Sequence, residues 1–202
     1  LLLVVPIVLS LVTSSSNPSL AAPVPQRVQS MDGTMIALEV GDKTASSRIP
    51  APRTFPQVRI QSATFNVTYV GSWSPAARNA FQHAMNIWAS QVNSTVPIEV
   101  VAEWKPLDAG FLVMGGPTNL FANFAGAPVA DTWYPVTLAN QLAGTDLMPD
   151  GPDINVAINS DYSWYLGTDG NTAANQFDLV TSALAGLGFG LGFFSSMDIS
   201  YG

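Results

Sequence analysis

Residues 64–104 read TFNVTYVGSWSPAARNAFQHAMNIWASQVNSTVPIEVVAEW, and this stretch decides the fold class. Phe65, Val67 and Tyr69 alternate with Asn66 and Thr68, the two-residue period of a half-buried strand, and Gly71 ends it. Ser74 followed by Pro75 is a helix start, because the hydroxyl caps a free amide and proline has no amide hydrogen to leave unpaired in the first turn. Behind it Ala77, Ala80, Phe81, Ala84, Ile87 and Trp88 recur at helical spacing, which predicts a helix with one face packed on a sheet. Ile98, Val100, Ala102 and Trp104 then alternate with Glu99, Val101 and Glu103, giving a second strand with one wetter face between Pro97 and Pro106.

Towards the C-terminus, shorter apolar runs at 111–114, 135–142 and 154–158 are separated by Gly, Pro, Asn and Asp clusters and read as further strands. An uncharged stretch lies between Asp178 and Asp198, and its first part predicts a buried helix over 179–187 with Asp178 at the positive end of its dipole. Strand, helix, several strands and helix, with no internal repeat, predict an α+β domain. Towards the N-terminus, residues 22–60 carry Pro23, Pro25, Pro50, Pro52 and Pro56 among Ser and Arg, a composition suited to an extended leader more than to a packed layer. Leu1–Val12 is an apolar run shorter than the roughly 18 residues that span a bilayer, followed by small residues with a cleavage pattern ending at Ala21. The expected organisation is a signal peptide over 1–21 that has lost its start, a leader over 22–60 and a domain over 61–202.

The 202 residues suffice for one domain with a real core, and a composition of 48% hydrophobic and 10% charged residues is too apolar for a disordered chain. All seven basic residues precede Pro106, so the second half carries carboxylates alone and is unsuited to a phosphate backbone; no nucleic-acid partner is expected. Its acidity suits an exported protein that must stay soluble. The chain has no Cys, which excludes disulfides, thiol chemistry and Cys-ligated metal.

Several blocks together carry a family resemblance: FNVTYVGSWSPAARNAFQHAMNIWASQVNSTVPIEV, GTDLMPDGPDINVAINS, WYLGTDGN and FDLVTSALAGLGFGLGF. Over roughly Thr64 to Phe193, about two-thirds of the chain, these resemble secreted bacterial zincin-type metallopeptidases, whose last block reads close to H-E-L-G-H-G-L-G-F. The resemblance implies a mixed sheet with a packing helix and an active-site helix, and zinc in the active relatives. In that motif two His four residues apart bind zinc and the Glu polarises the attacking water. Carried across, the first His falls on Ala185, the Glu on Gly186 and the second His on Phe189, while Leu187, Gly188, Gly190, Leu191, Gly192 and Phe193 match the surroundings. The motif is therefore degenerate, and none of its catalytic side chains is retained. A further zinc ligand of the family would lie downstream, and the chain stops at Gly202, so a missing C-terminal part is expected.

His83, the sole histidine, falls with Asn79 and Asn86 on the polar side of its predicted helix. The run GLGFGLG lacks the spacing of a dinucleotide loop and no P-loop Lys follows, which excludes a nucleotide. Gly186 with Gly190 and Gly188 with Gly192 form small-xxx-small pairs, leaving a membrane-interacting or adhesive element as one alternative, although membrane contact after signal cleavage is not the expected role. Four glycines make a helix there dependent on tertiary packing and predict a frayed C-terminal end. Asp146, Asp150, Asp153 and Asp169 are candidate oxygen ligands for calcium, against the alternative that they cap turns. The functional expectation is an exported or extracytoplasmic zincin-like domain that is catalytically silent, needs no cofactor and serves a peptide or protein partner. A truncated or disabled copy of an active metallopeptidase is the second alternative.

Overall fold

The computed structural model describes residues 27–40 and 63–194. The expected signal peptide, the flanking parts of the leader and the last eight residues lie outside the described residues. Phe65–Gly71 is a strand, β3, with alternating exposure; two strands precede it, β1 (Gln29–Asp32) and β2 (Ile36–Glu39). Helix α1 (Pro75–Ala89) follows, and the Ser74 side chain accepts a hydrogen bond from the Ala77 amide at 3.1 Å, as its sequence position predicts. Ala77, Ala80, Phe81, Ala84 and Met85 form its buried face; Ile87, expected on that face, is exposed at the far rim. In β4 (Ile98–Lys105), Ile98, Val100 and Ala102 are buried while Glu99, Val101 and Glu103 remain partly exposed. β3 and β4 pair in parallel, with α1 as the crossover that a parallel pair requires.

Beyond β4 come β5 (Phe111–Pro117), β6 (Asn119–Ala122), β7 (Tyr134–Pro135), α2 (Val136–Ala143), β8 (Ile154–Asn159), β9 (Trp164–Tyr165), β10 (Phe177–Asp178) and α3 (Leu179–Gly190). The main sheet has the order β2-β5-β8-β4-β3; β8, β4 and β3 run parallel, and β5 is antiparallel to both of its neighbours. A three-stranded sheet β1-β6-β7 and a parallel pair β10-β9 complete the strands. The architecture is mixed α+β.

Three expectations are corrected. Within the leader, residues 29–32 and 36–39 are strands, β1 pairing with β6 and β2 joining the main sheet beside β5, because Ile36 and Leu38 supply apolar side chains that the prolines elsewhere in the segment obscure. The run 135–142, read as a strand, is helix α2: Val136, Ala139 and Asn140 are buried at helical spacing, and Gly144 closes the helix in the left-handed conformation (φ 68°). The C-terminal end of α3 is not frayed. The Gly192 amide donates to the Phe189 carbonyl at 3.0 Å and the Phe193 amide to the Gly188 carbonyl at 2.9 Å, with Gly192 at φ 97°, the double closure of a Schellman end.

The core lies between the main sheet and the pair α1 and α3. Phe81, Met85, Val100, Val113, Ile154, Val156, Ile158, Leu179 and Leu187 are fully or almost fully buried there. A smaller cluster of Phe121, Phe124, Val136 and Ala139 fixes α2.

Candidate functional site

Helix α3 carries Ala185, Gly186 and Phe189, and its start is set locally: Asp178 accepts the Thr181 amide at 2.7 Å and satisfies one of the free donors of the first turn. The side chains that follow are apolar or absent, so the helix lies flush on the sheet. A methyl group built on Gly186 would stand 2.7 Å from Val113 Cγ1 and 3.1 Å from Val156 Cγ1; one on Gly190 would stand 2.8 Å from Ile154 Cγ1. On the other flank Gly188 makes room for Trp88 of α1, whose indole Nε1 donates to the Leu184 carbonyl at 3.0 Å. Thr137 of α2 donates to the Gly190 carbonyl at 3.2 Å, so both other helices are tied to the α3 backbone. The glycine pairs thus serve helix-to-sheet and helix-to-helix contact. No helix among the described residues is long and apolar enough to cross a membrane.

Ala185 and Phe189 lie one turn apart on the partly exposed side of α3, whereas Gly186 is buried. None of the three carries a lone-pair donor, so the set does not fit zinc. His83 is partly buried on α1, less open than its polar neighbours predicted.

Where α3 ends, a groove of about 360 Å³ opens between it, α2 and the segment that leads into β4. Leu138, Leu191 and Phe193 give it an apolar wall; Asn93, Ser94, Thr137 and Gln141 contribute the polar groups. Phe193 is 63% exposed and stacks on Trp88, with ring centroids 5.2 Å apart. Among the described residues no titratable side chain lines the groove, and those that do offer contact and hydrogen bonding. Periodicity gave no signal for it, because its walls come from three segments distant in the chain.

The acidic candidates divide. Asp153, 2% exposed at the head of β8, accepts the Glu99 amide on Oδ2 at 2.8 Å and the Asn140 side chain on Oδ1 at 3.0 Å. Asn140 Nδ2 also reaches Asp146 Oδ1 at 3.3 Å, and its Oδ1 accepts the Leu147 amide at 2.9 Å. Burial pushes the Asp153 carboxyl up to about 6, reinforced by the nearby Asp146 and Glu99 charges and opposed by the Glu99 amide and Asn140. Asp150 lines a shallow cleft with Glu99 and Asp146. Asp169 stands elsewhere: it accepts the Tyr165 hydroxyl and the backbone and side-chain nitrogens of Asn171. Those hydrogen bonds lower its carboxyl below the ordinary range, the Tyr165 bond contributing most, and the same bond raises the phenol. Asp146 and Asp153 are therefore brought together, and Asp169 caps its own turn. Among the described residues no group of three or more His, Cys, Asp or Glu side chains is placed to hold a metal ion. The link between Asn140 and Asp153 had no sequence signal, since it joins a helix to a strand across a long loop.

Compared with protein-family models, curated proteins and solved structures, the chain matches none.

Proposed function

We propose that this chain is an exported zincin-like domain without peptidase chemistry, retained as a structural or binding module for a peptide or protein partner. The observation that carries the reading is the frame of a zinc motif without its side chains. In α3 the positions of the two imidazoles and the base are held by Ala185, Phe189 and Gly186, while the surrounding Leu and Gly residues of the motif remain. The mixed sheet behind α3, with α1 beside it, suits the same reading. A binding role is supported by the groove at the end of α3, where an exposed aromatic and four uncharged polar side chains offer contact without acid–base function.

Elemental analysis of the purified chain and a casein-cleavage assay, with and without a chelator, test the reading together. The expected outcome is no stoichiometric zinc and no chelator-sensitive cleavage. Zinc at one equivalent with cleavage that a chelator abolishes sinks the proposal.

A further inference from the structure

The glycine at position 186 admits two histories: a base simply deleted from a working site, or a position the packing has closed. The contacts on either side distinguish them. Gly186 lies over β5 and β8, where a methyl group would meet Val113 Cγ1 at 2.7 Å, closer than real side chains approach. From the sheet side, a methyl group on Gly115 of β5 would stand 2.6 Å from the Gly186 Cα, and Gly115 is itself buried. Helix and strand meet backbone to backbone at this pair. Valine is β-branched and stiff at χ1, and both valines sit in a close-packed core, so Val113 and Val156 yield only at a cost. Ala185 and Phe189 lie on the partly exposed side of the same helix.

We infer that the packing of α3 on β5 excludes a general-base side chain at position 186, so that restoring the three motif residues does not restore a water-activating glutamate on this scaffold. The inference rests on the reading of α3 as a former zinc-site helix. It sets this chain apart from a copy disabled by substitution alone, in which the cleft would still accept the glutamate. The remodelling resides in the Gly186–Gly115 contact, which draws the helix onto the strand.

The test compares the same residue at adjacent positions in the full chain, by thermal unfolding of Gly186→Glu and Ala185→Glu. The expected result is a fall in melting temperature on the order of 10 °C or loss of folding for Gly186→Glu, and little change for Ala185→Glu. A Gly186→Glu chain melting within about 2 °C of the parent overturns the inference. So does chelator-sensitive casein cleavage by a folded Ala185→His, Gly186→Glu, Phe189→His chain. Where Gly186→Glu does not fold, Gly186→Ala decides: alanine is the better helix former, so a raised melting temperature means the space exists and a lowered one means it does not. Zinc-dependent cleavage by the unaltered chain would remove the functional reading and leave this comparison intact, so the two failures are distinguishable.

Discussion

At the scale of single residues, Asp153 couples the fold to pH. Its carboxyl is raised to about 6 against an ordinary value of 3.8, so the folded chain holds a proton between those values that the unfolded chain has released. Stability from this group is therefore greatest below about pH 4 and declines as the pH rises towards 6, by roughly 3 kcal/mol at most. Urea denaturation of the parent between pH 4 and pH 7 should show that decline superimposed on other titrations, and Asp153→Asn should flatten it. An unchanged slope in the variant would mean the carboxyl is not perturbed. Gly192 makes a second residue-scale case. Its φ of 97° is strained for any residue with a Cβ, and Pro135 Cγ stands 2.8 Å from where that atom would lie. Gly192→Ala should destabilise by about 1–2 kcal/mol, read as a lowered urea midpoint at constant slope.

At the scale of elements, α3 depends on its ends and its neighbours more than on propensity, since Gly186, Gly188 and Gly190 within it each disfavour a helix by about 1 kcal/mol relative to alanine. Its Asp178 cap was legible from an acidic residue directly before an apolar run, and Asp178→Ala should cost about 1 kcal/mol. Circular dichroism during thermal unfolding would measure this; an unchanged melting temperature would show the cap to be idle. Its C-terminal closure was not legible, because a Schellman end and a frayed glycine tail share one composition until the Phe193 and Gly192 amides find their carbonyls. Helix α2 is not legible in the sequence for a related reason. Over eight residues the run Val136–Ala143 satisfies both a strand and a helical pattern, and its side chains meet a second small core that no local window contains.

At the scale of the whole molecule, the domain does not begin where the hydrophobic alternation begins. β2 covers one edge of β5, with Ala37 opposite Met114 and Leu38 opposite Val113, and β1 covers β6. Removing residues 1–40 should leave β5 with an unpaired edge and expose apolar surface, conditions that favour association. Size-exclusion chromatography should show larger species for the shortened chain than for the parent, whereas an unchanged elution volume per mass would make β1 and β2 dispensable. The same scale explains how the main core is closed: α1 and α3 share the face of the main sheet, and the Trp88 contact with Leu184 joins them across 96 residues of sequence.

The sequence by itself determined β3, α1 and β4, the start of α3 and the absence of zinc-binding side chains at 185, 186 and 189. Each of these is a statement about neighbours in the chain, where period, cap and residue type act within one or two turns. The tertiary structure alone decided that Gly186 meets Gly115, that Asp153 is held by Asn140, and that residues 36–39 complete the sheet. Those contacts join residues tens of positions apart, and their energies come from shape and burial at close range, which no local pattern of residue types encodes.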